Sequence, residues 1–175
     1  MQKPVFYDFE ASGLDGFPIE VGWAFVDDQK RIVSDSSLIL PDPKWNLPAK
    51  WDQSAEQIHG ISLKHLMEKG IPARQVAQQL NQVLAAQNLY SDSLFDQKWM
   101  GQLFEAAGLS PAFVLQDTPA PVIIEQLRAQ LGLTDDDVAG LYRVVDHKAP
   151  HLDRAQPDAR HWAARWQALL KLPGS

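Results

Sequence analysis

Two carboxylates, Asp8 and Glu10, interrupt the apolar run Val5-Phe6-Tyr7-Asp8-Phe9-Glu10, and they limit where that run can lie in a folded chain. The β-forming residues from Val5 to Phe9 predict a strand, and side chains two apart in a strand leave on the same face. The two acids therefore share a face and can share one cation. Charge on a buried strand is costly without a partner, so this strand end must meet either water or cations. Ala11, Ser12, Gly13 and Leu14 follow, with small residues and a glycine that let the backbone turn sharply and approach a ligand. A solvated strand end explains the acid pair equally well when the pair is taken alone.

Beyond it, Ile19 to Val26 and Ile32 to Leu40 read as two more strands joined by the turn Asp27-Asp28-Gln29-Lys30, which predicts an N-terminal meander. Pro41, Pro43 and Pro48 break regular structure up to Trp51. Ser54 and Ser62 are candidate caps of two short helices, and Pro72 suits the first turn of a helix with Val76, Leu80 and Leu84 on one face. Strand and helix then alternate. Strands are expected at Asn88 to Ser91 and Phe113 to Gln116, and helices at Asp96 to Ala107, Pro121 to Leu131, from the acidic cap at Thr134 to Asp137, and from about Pro157 to Leu170. The pattern predicts an α/β chain with a central mixed five-stranded sheet flanked by helices, of ribonuclease H-like type. At 175 residues, positions 1–175 are expected to form one domain.

The absence of cysteine excludes disulfides, thiolate nucleophiles and thiolate zinc sites, so a metal must sit on oxygen or imidazole. Net charge is −6, which ordinarily argues against a nucleic-acid partner. A site that gathers carboxylates is negative by design, however, and bound divalent ions reverse its local sign. No apolar run approaches membrane-spanning length and the start shows no signal-peptide pattern, so no membrane partner is expected and the expected location is cytoplasmic.

Phe6-Tyr7-Asp8-Phe9-Glu10-Ala11-Ser12-Gly13-Leu14 resembles the first motif of the DEDD exonuclease superfamily, which includes polymerase proofreading exonucleases and ribonuclease T. Leu94-Phe95-Asp96-Gln97-Lys98-Trp99 is similar to the second motif, an aspartate after an aromatic residue at a helix start. Arg154-Ala155-Gln156-Pro157-Asp158-Ala159 is similar to the third, and Ala55-Glu56-Gln57-Ile58-His59-Gly60-Ile61 to the family's AxxxHGI segment. Each motif is short, but all four occur in order across nearly the whole chain.

The resemblance implies 3′–5′ exonuclease chemistry on single-stranded nucleic acid with a free 3′ end, DNA or RNA, releasing nucleoside 5′-monophosphates. It implies two divalent ions on Asp8, Glu10, Asp96 and Asp158, with Asp8 reaching both and Asp96 acting more through water. Oxygen ligands suit Mg²⁺ or Mn²⁺. Ala11, Ser12, Gly13 and Leu14, with His59, Gly60 and Ile61, would contact the terminal nucleotide. Dimers are common in such families, which leaves a homodimer open.

The general base departs from the pattern. Histidine-type members carry HxAxxD, and here the histidine position holds Asp153; Arg154 occupies the place of the tyrosine in the tyrosine-type subclass, which excludes that subclass. Three readings remain. His151, two residues early, reaches the site from a loop of altered length, and this reading is favoured; His147 does so over a longer excursion; or Asp153 substitutes, with weakened activity as the limiting case. His65 and His161 read as structural or solvated. Trp45 and Trp51, flanked by Lys44 and Lys50, are candidates for stacking on bases, while Trp99 and Trp162 have core-facing spacing. Glu20 reads either as a polar contact near the terminal nucleotide or as a strand residue facing water, and Asp92 either as an aid to metal hydration or as an ordinary strand-end acid. Asp135, Asp136 and Asp137 read as a helix N-terminus.

Overall fold

The structure is a computed structural model that describes residues 3–172. Strands β1 (Pro4–Ala11), β2 (Pro18–Val26) and β3 (Ile32–Leu40) form the expected antiparallel meander. Asp27 closes the β2–β3 turn by accepting from the backbone N–H groups of Gln29 and Arg31. The prolines that follow leave two 3₁₀ turns, Pro43–Trp45 and Leu47–Lys50.

Helices α1 (Gln53–His59) and α2 (Leu63–Lys69) come next. Ser62 caps α2 as expected, accepting from the His65 N–H. The cap of α1 is Asp52, not Ser54: the helix starts two residues earlier than a Ser54 cap would give, and the Asp52 carboxylate accepts from the Ser54 N–H. The chain continues as β4 (Ile71–Pro72), α3 (Ala73–Val83), β5 (Asn88–Tyr90), α4 (Leu94–Ala107), β6 (Val114–Leu115), α5 (Ala120–Gln130), α6 (Asp135–Lys148) and α7 (Ala155–Leu170). Thr134 and Asp137 form a reciprocal capping box at the start of α6, so the acidic triple is a helix N-terminus.

The sheet has six strands in the order β4-β3-β2-β1-β5-β6, one more than expected. The additional strand is β4, whose two residues pair in parallel with Ile39 and Leu40. Two residues carry no periodicity, so tertiary pairing alone makes them a strand.

Alternation along β1 divides the core. Val5, Tyr7 and Phe9 pack on one side with Val76, Leu80, Met100 and Leu103 of α3 and α4. Phe6, with Ala24 and Val26 of β2, packs on the other side against Ile124, Val138, Trp162 and Trp166 of α5, α6 and α7. Burial of each such side chain is worth roughly 1.5–3 kcal/mol. Asp8 and Glu10 share the face of Phe6, so they look toward α7.

Helix α7 crosses β1, β2 and β3, and Gly22 permits its close approach. A Cβ at Gly22 would lie 2.3 Å from both Ala155 C and Gln156 N. No helix among the described residues is long and apolar enough to cross a membrane.

Candidate active site

Four elements deliver acids to the C-terminal end of β1. Asp8 and Glu10 come from β1 itself, and Asp92 follows β5. Asp96 lies in the first turn of α4 and Asp158 in the first turn of α7, where unpaired N–H groups favour negative charge. These residues form two triads that share Asp8. Carboxylate oxygens of Asp8, Glu10 and Asp158 lie within 4.8 Å of one another, as do those of Asp8, Asp92 and Asp96. Asp92, left undecided between two readings in the sequence, thus joins the cluster, and its Oδ2 accepts from Trp162 Nε1 at 3.2 Å.

The cluster is electrostatically unbalanced. Burial, and then the carboxylates of Asp96, Glu10, Asp158 and Asp92, push Asp8 well above the ordinary carboxylate range. Burial and then Glu20 hold Glu10 at about 8, although Arg154 pulls the other way. Burial and then Asp92 hold Asp96 at about 8 against hydrogen bonds to the Phe9 backbone and the Ser91 side chain. Asp96 Oδ2 is buried with no hydrogen-bond partner. An all-oxygen donor set, repelling itself and carrying an orphaned buried oxygen, fits hard divalent cations such as Mg²⁺ or Mn²⁺. Asp8, Glu10 and Asp158 could hold one and Asp8, Asp92 and Asp96 another.

Glu20 does not face water. It is 2% exposed, and Arg154 donates to it through Nε at 2.9 Å and Nη2 at 2.7 Å, with the Ala155 N–H as a third donor at 3.2 Å. Glu20 lies opposite Glu10 in the β1–β2 ladder, so this bidentate pair fixes the N-terminus of α7 beside the acids. Only Glu20 is buried while Arg154 is 40% exposed, so losing the arginine strands a buried carboxylate at a cost of about 1–3 kcal/mol.

His151 reaches the cluster from the loop between α6 and α7. Asp153, at φ 50°, takes the left-handed conformation and turns this loop back toward the helix. His151 Nδ1 lies 3.3 Å from Asp158 Oδ1, which also accepts from the Leu152 N–H at 2.8 Å. The hydrogen bond with Asp158 raises the His151 pKa above its ordinary value, against the opposing effect of burial. Asp153 is exposed, and His147 lies on an exposed part of the last turn of α6.

Beside Glu10 opens a cleft of about 340 Å³ whose walls include Ala11, Gly13, Leu14, Ile58, His59 and Trp99. His59 Nδ1 accepts from the Ile61 N–H at 3.0 Å, which leaves the ring proton on Nε2. That nitrogen is buried with no well-formed hydrogen bond, only a weak tie to the Ala11 backbone, and Trp99 Nε1 is likewise buried and unpartnered. Leu14, on the loop after β1, and Ile58, on α1, expose 67% and 62% of their surface and form an apolar lip at this cleft.

Not every expected contact residue lines the cleft. Ser12 is buried, its Oγ accepting from the Phe17 N–H to close the loop after β1. Gly60 is exposed as the left-handed cap of α1, and Ile61 is buried with Ile19, Leu47 and Leu66. Of the two tryptophans of the proline segment, Trp45 is not free to stack. Trp45 is buried against Phe17 with ring centroids 5.0 Å apart, and Trp51 is half-buried with Nε1 donating to Glu56.

The fold is shared with solved exonuclease structures. The zinc-bound complex of E. coli exonuclease I with single-stranded DNA superposes with a TM-score of 0.64 at 14% identity, covering 97% of this chain and 40% of that one. E. coli exonuclease I with a dA16 oligonucleotide gives 0.66 at 14% identity, covering 99% and 41%. Exonuclease I from Methylocaldum szegediense gives 0.65 at 14% identity, with the same coverage of 99% and 41%. The ribonuclease H-like α/β fold expected from the sequence is therefore the fold of this chain. It spans about two fifths of the length of those proteins. No family model matches the sequence, and neither does any curated protein.

Proposed function

We propose that this chain, as one domain, is a metal-dependent 3′–5′ exonuclease that hydrolyses single-stranded nucleic acid from a free 3′ end and releases nucleoside 5′-monophosphates. The observation that carries this reading is the pair of acid triads sharing Asp8, with an orphaned oxygen on Asp96 and an imidazole beside Asp158. Solved exonuclease I structures of the same fold hold single-stranded DNA, which supports a single strand as the substrate.

Divalent cations, when bound, supply charge at the scissile phosphate and lower the pKa of an attacking water. Asp8, Glu10, Asp92, Asp96 and Asp158 are the residues that would hold them. Asp158 orients His151: with Nδ1 turned to that carboxylate, Nε2 is the nitrogen left to accept a proton from water. The apolar lip of Leu14 and Ile58 offers a surface to the terminal base. His59 and Trp99 wall the cleft on which the strand would lie, and Lys98, which reaches the Leu14 carbonyl at 3.4 Å, adds a cation near the same loop.

The test is cleavage of 5′-labelled single-stranded DNA and RNA, each with a free or a blocked 3′ end, in Mg²⁺, in Mn²⁺ and in chelator. Shortening from free 3′ ends only, and only with metal, supports the proposal and reads the sugar preference directly. Binding without cleavage in either metal would instead make the chain a non-catalytic binding module. Hydrolysis confined to dinucleotides or mononucleotides would make it a phosphoesterase of short substrates.

A further inference from the structure

His161 is 3% exposed, and none of the chemistry above uses it. It lies on α7, three residues beyond Asp158, and its ring rests against that of His151 with centroids 3.8 Å apart and planes at 37°. His161 Nδ1 is 2.8 Å from the carbonyl oxygen of Ala149, the residue that ends α6 and begins the loop carrying His151. A carbonyl can only accept, so Nδ1 carries the proton and donates. One buried side chain thus ties the loop at its start and provides a shelf for the ring two residues later.

Neighbouring groups hold that shelf in place. Trp162 presents an edge to His151 at 5.5 Å and to His161 at 5.0 Å, and through Nε1 it also reaches Asp92. Arg165 donates to both carboxylate oxygens of Asp146 on α6, which locks α6 to α7 at the level of His161. His151 itself stands on an exposed loop, where a side chain without such a support samples several rotamers.

We propose that His161 is a positioning residue for His151: by donating to Ala149 and stacking on the imidazole, it holds that ring over Asp158 in the geometry that accepts the proton. This rests on the hydrolytic reading of the acid cluster. Misplacing a reacting group by about 1 Å can cost on the order of a hundredfold in rate. A purely structural role for His161 would lower stability without acting through His151.

The test uses His161→Ala, with His161→Phe, which keeps a ring, and His161→Asn, which keeps a donor. On a strand with a free 3′ end, kcat of His161→Ala falls about tenfold to a hundredfold while KM stays within about twofold, and the Phe and Asn variants lie between it and the wild type. In a His151→Ala background, His161→Ala causes no further loss of kcat. NMR of the metal-free chain reads the arrangement without turnover: the His151 ring protons, shifted by the stacked ring, move toward positions of an exposed histidine in His161→Ala while the remaining spectrum stays folded. Unchanged His151 resonances in that variant, or losses that multiply in the double variant, overturn the proposal. A wild type that cuts no strand defeats the hydrolytic reading, and the NMR comparison still decides whether His161 holds His151.

Discussion

Raising the pH of the metal-free chain strains its acid cluster, and the size of the effect follows from the site. Glu10 rises from an ordinary 4.5 to about 8 and Asp96 from 3.8 to about 8, burial being the first cause in both. A carboxyl whose folded value exceeds its unfolded value binds its proton more tightly in the native state. Stability is therefore full below about pH 4 and is lost as pH rises through about 8. At ~1.4 kcal/mol for each tenfold change in proton affinity, Glu10 alone corresponds to about 5 kcal/mol and Asp96 alone to about 6 kcal/mol. Glu10 keeps partial exposure and the two share neighbours, so their joint effect is on the order of 5 kcal/mol rather than the sum, a large part of a typical domain's stability. Urea unfolding in chelator, at about pH 5.5 and about pH 8.5, reads the roughly 3 kcal/mol of it that one group loses above pH 5.5. The wild-type midpoint falls relative to that of Asp96→Asn as pH rises, and added Mg²⁺ or Mn²⁺ restores it mainly at the higher pH. Parallel curves for wild type and Asp96→Asn would show that Asp96 titrates as an ordinary acid, and the electrostatic description of the site would be wrong.

Gly22→Ala places a methyl group against the backbone of Ala155 and Gln156. The expected cost is about 1–3 kcal/mol by thermal or urea unfolding, with activity falling further than stability because the N-terminus of α7 carries Asp158. Leu14→Asp changes an exposed residue of the cleft lip, so stability stays within about 0.5 kcal/mol while KM for a single strand rises and kcat holds. Equal stability with an unchanged KM would remove the lip from the substrate path.

Local patterns carried most of the fold. The three N-terminal strands, the Ser62 cap and the Thr134 capping box all follow from residues adjacent in sequence. What escaped is set by distance. The Glu20–Arg154 pair joins residues 134 apart, and nothing near Glu20 distinguishes a buried ion-pair partner from a strand residue in water. Trp45 was misread because its lysine neighbour and prolines suggest an exposed loop, whereas Phe17 across the chain covers it. In the site, Asp8 and Glu10 were legible from strand periodicity and Asp96 and Asp158 only through the family resemblance, while the place of Asp92 depends on how β5 ends beside β1. The position of His151 depends on the left-handed turn at Asp153, a conformation that aspartate tolerates but does not announce.

Asp8 alone belongs to both acid triads, so its removal is the most direct probe of the account. The measurement is the single-turnover rate of mononucleotide release from a free 3′ end across a Mn²⁺ titration, for wild type and for Asp8→Ala shown to be folded. The account predicts a fall of at least about a thousandfold that saturating Mn²⁺ does not rescue, as expected when a group stabilising the transition state is lost. Release at a rate within about tenfold of wild type would contradict it, because the shared carboxylate would then have no part in the chemistry.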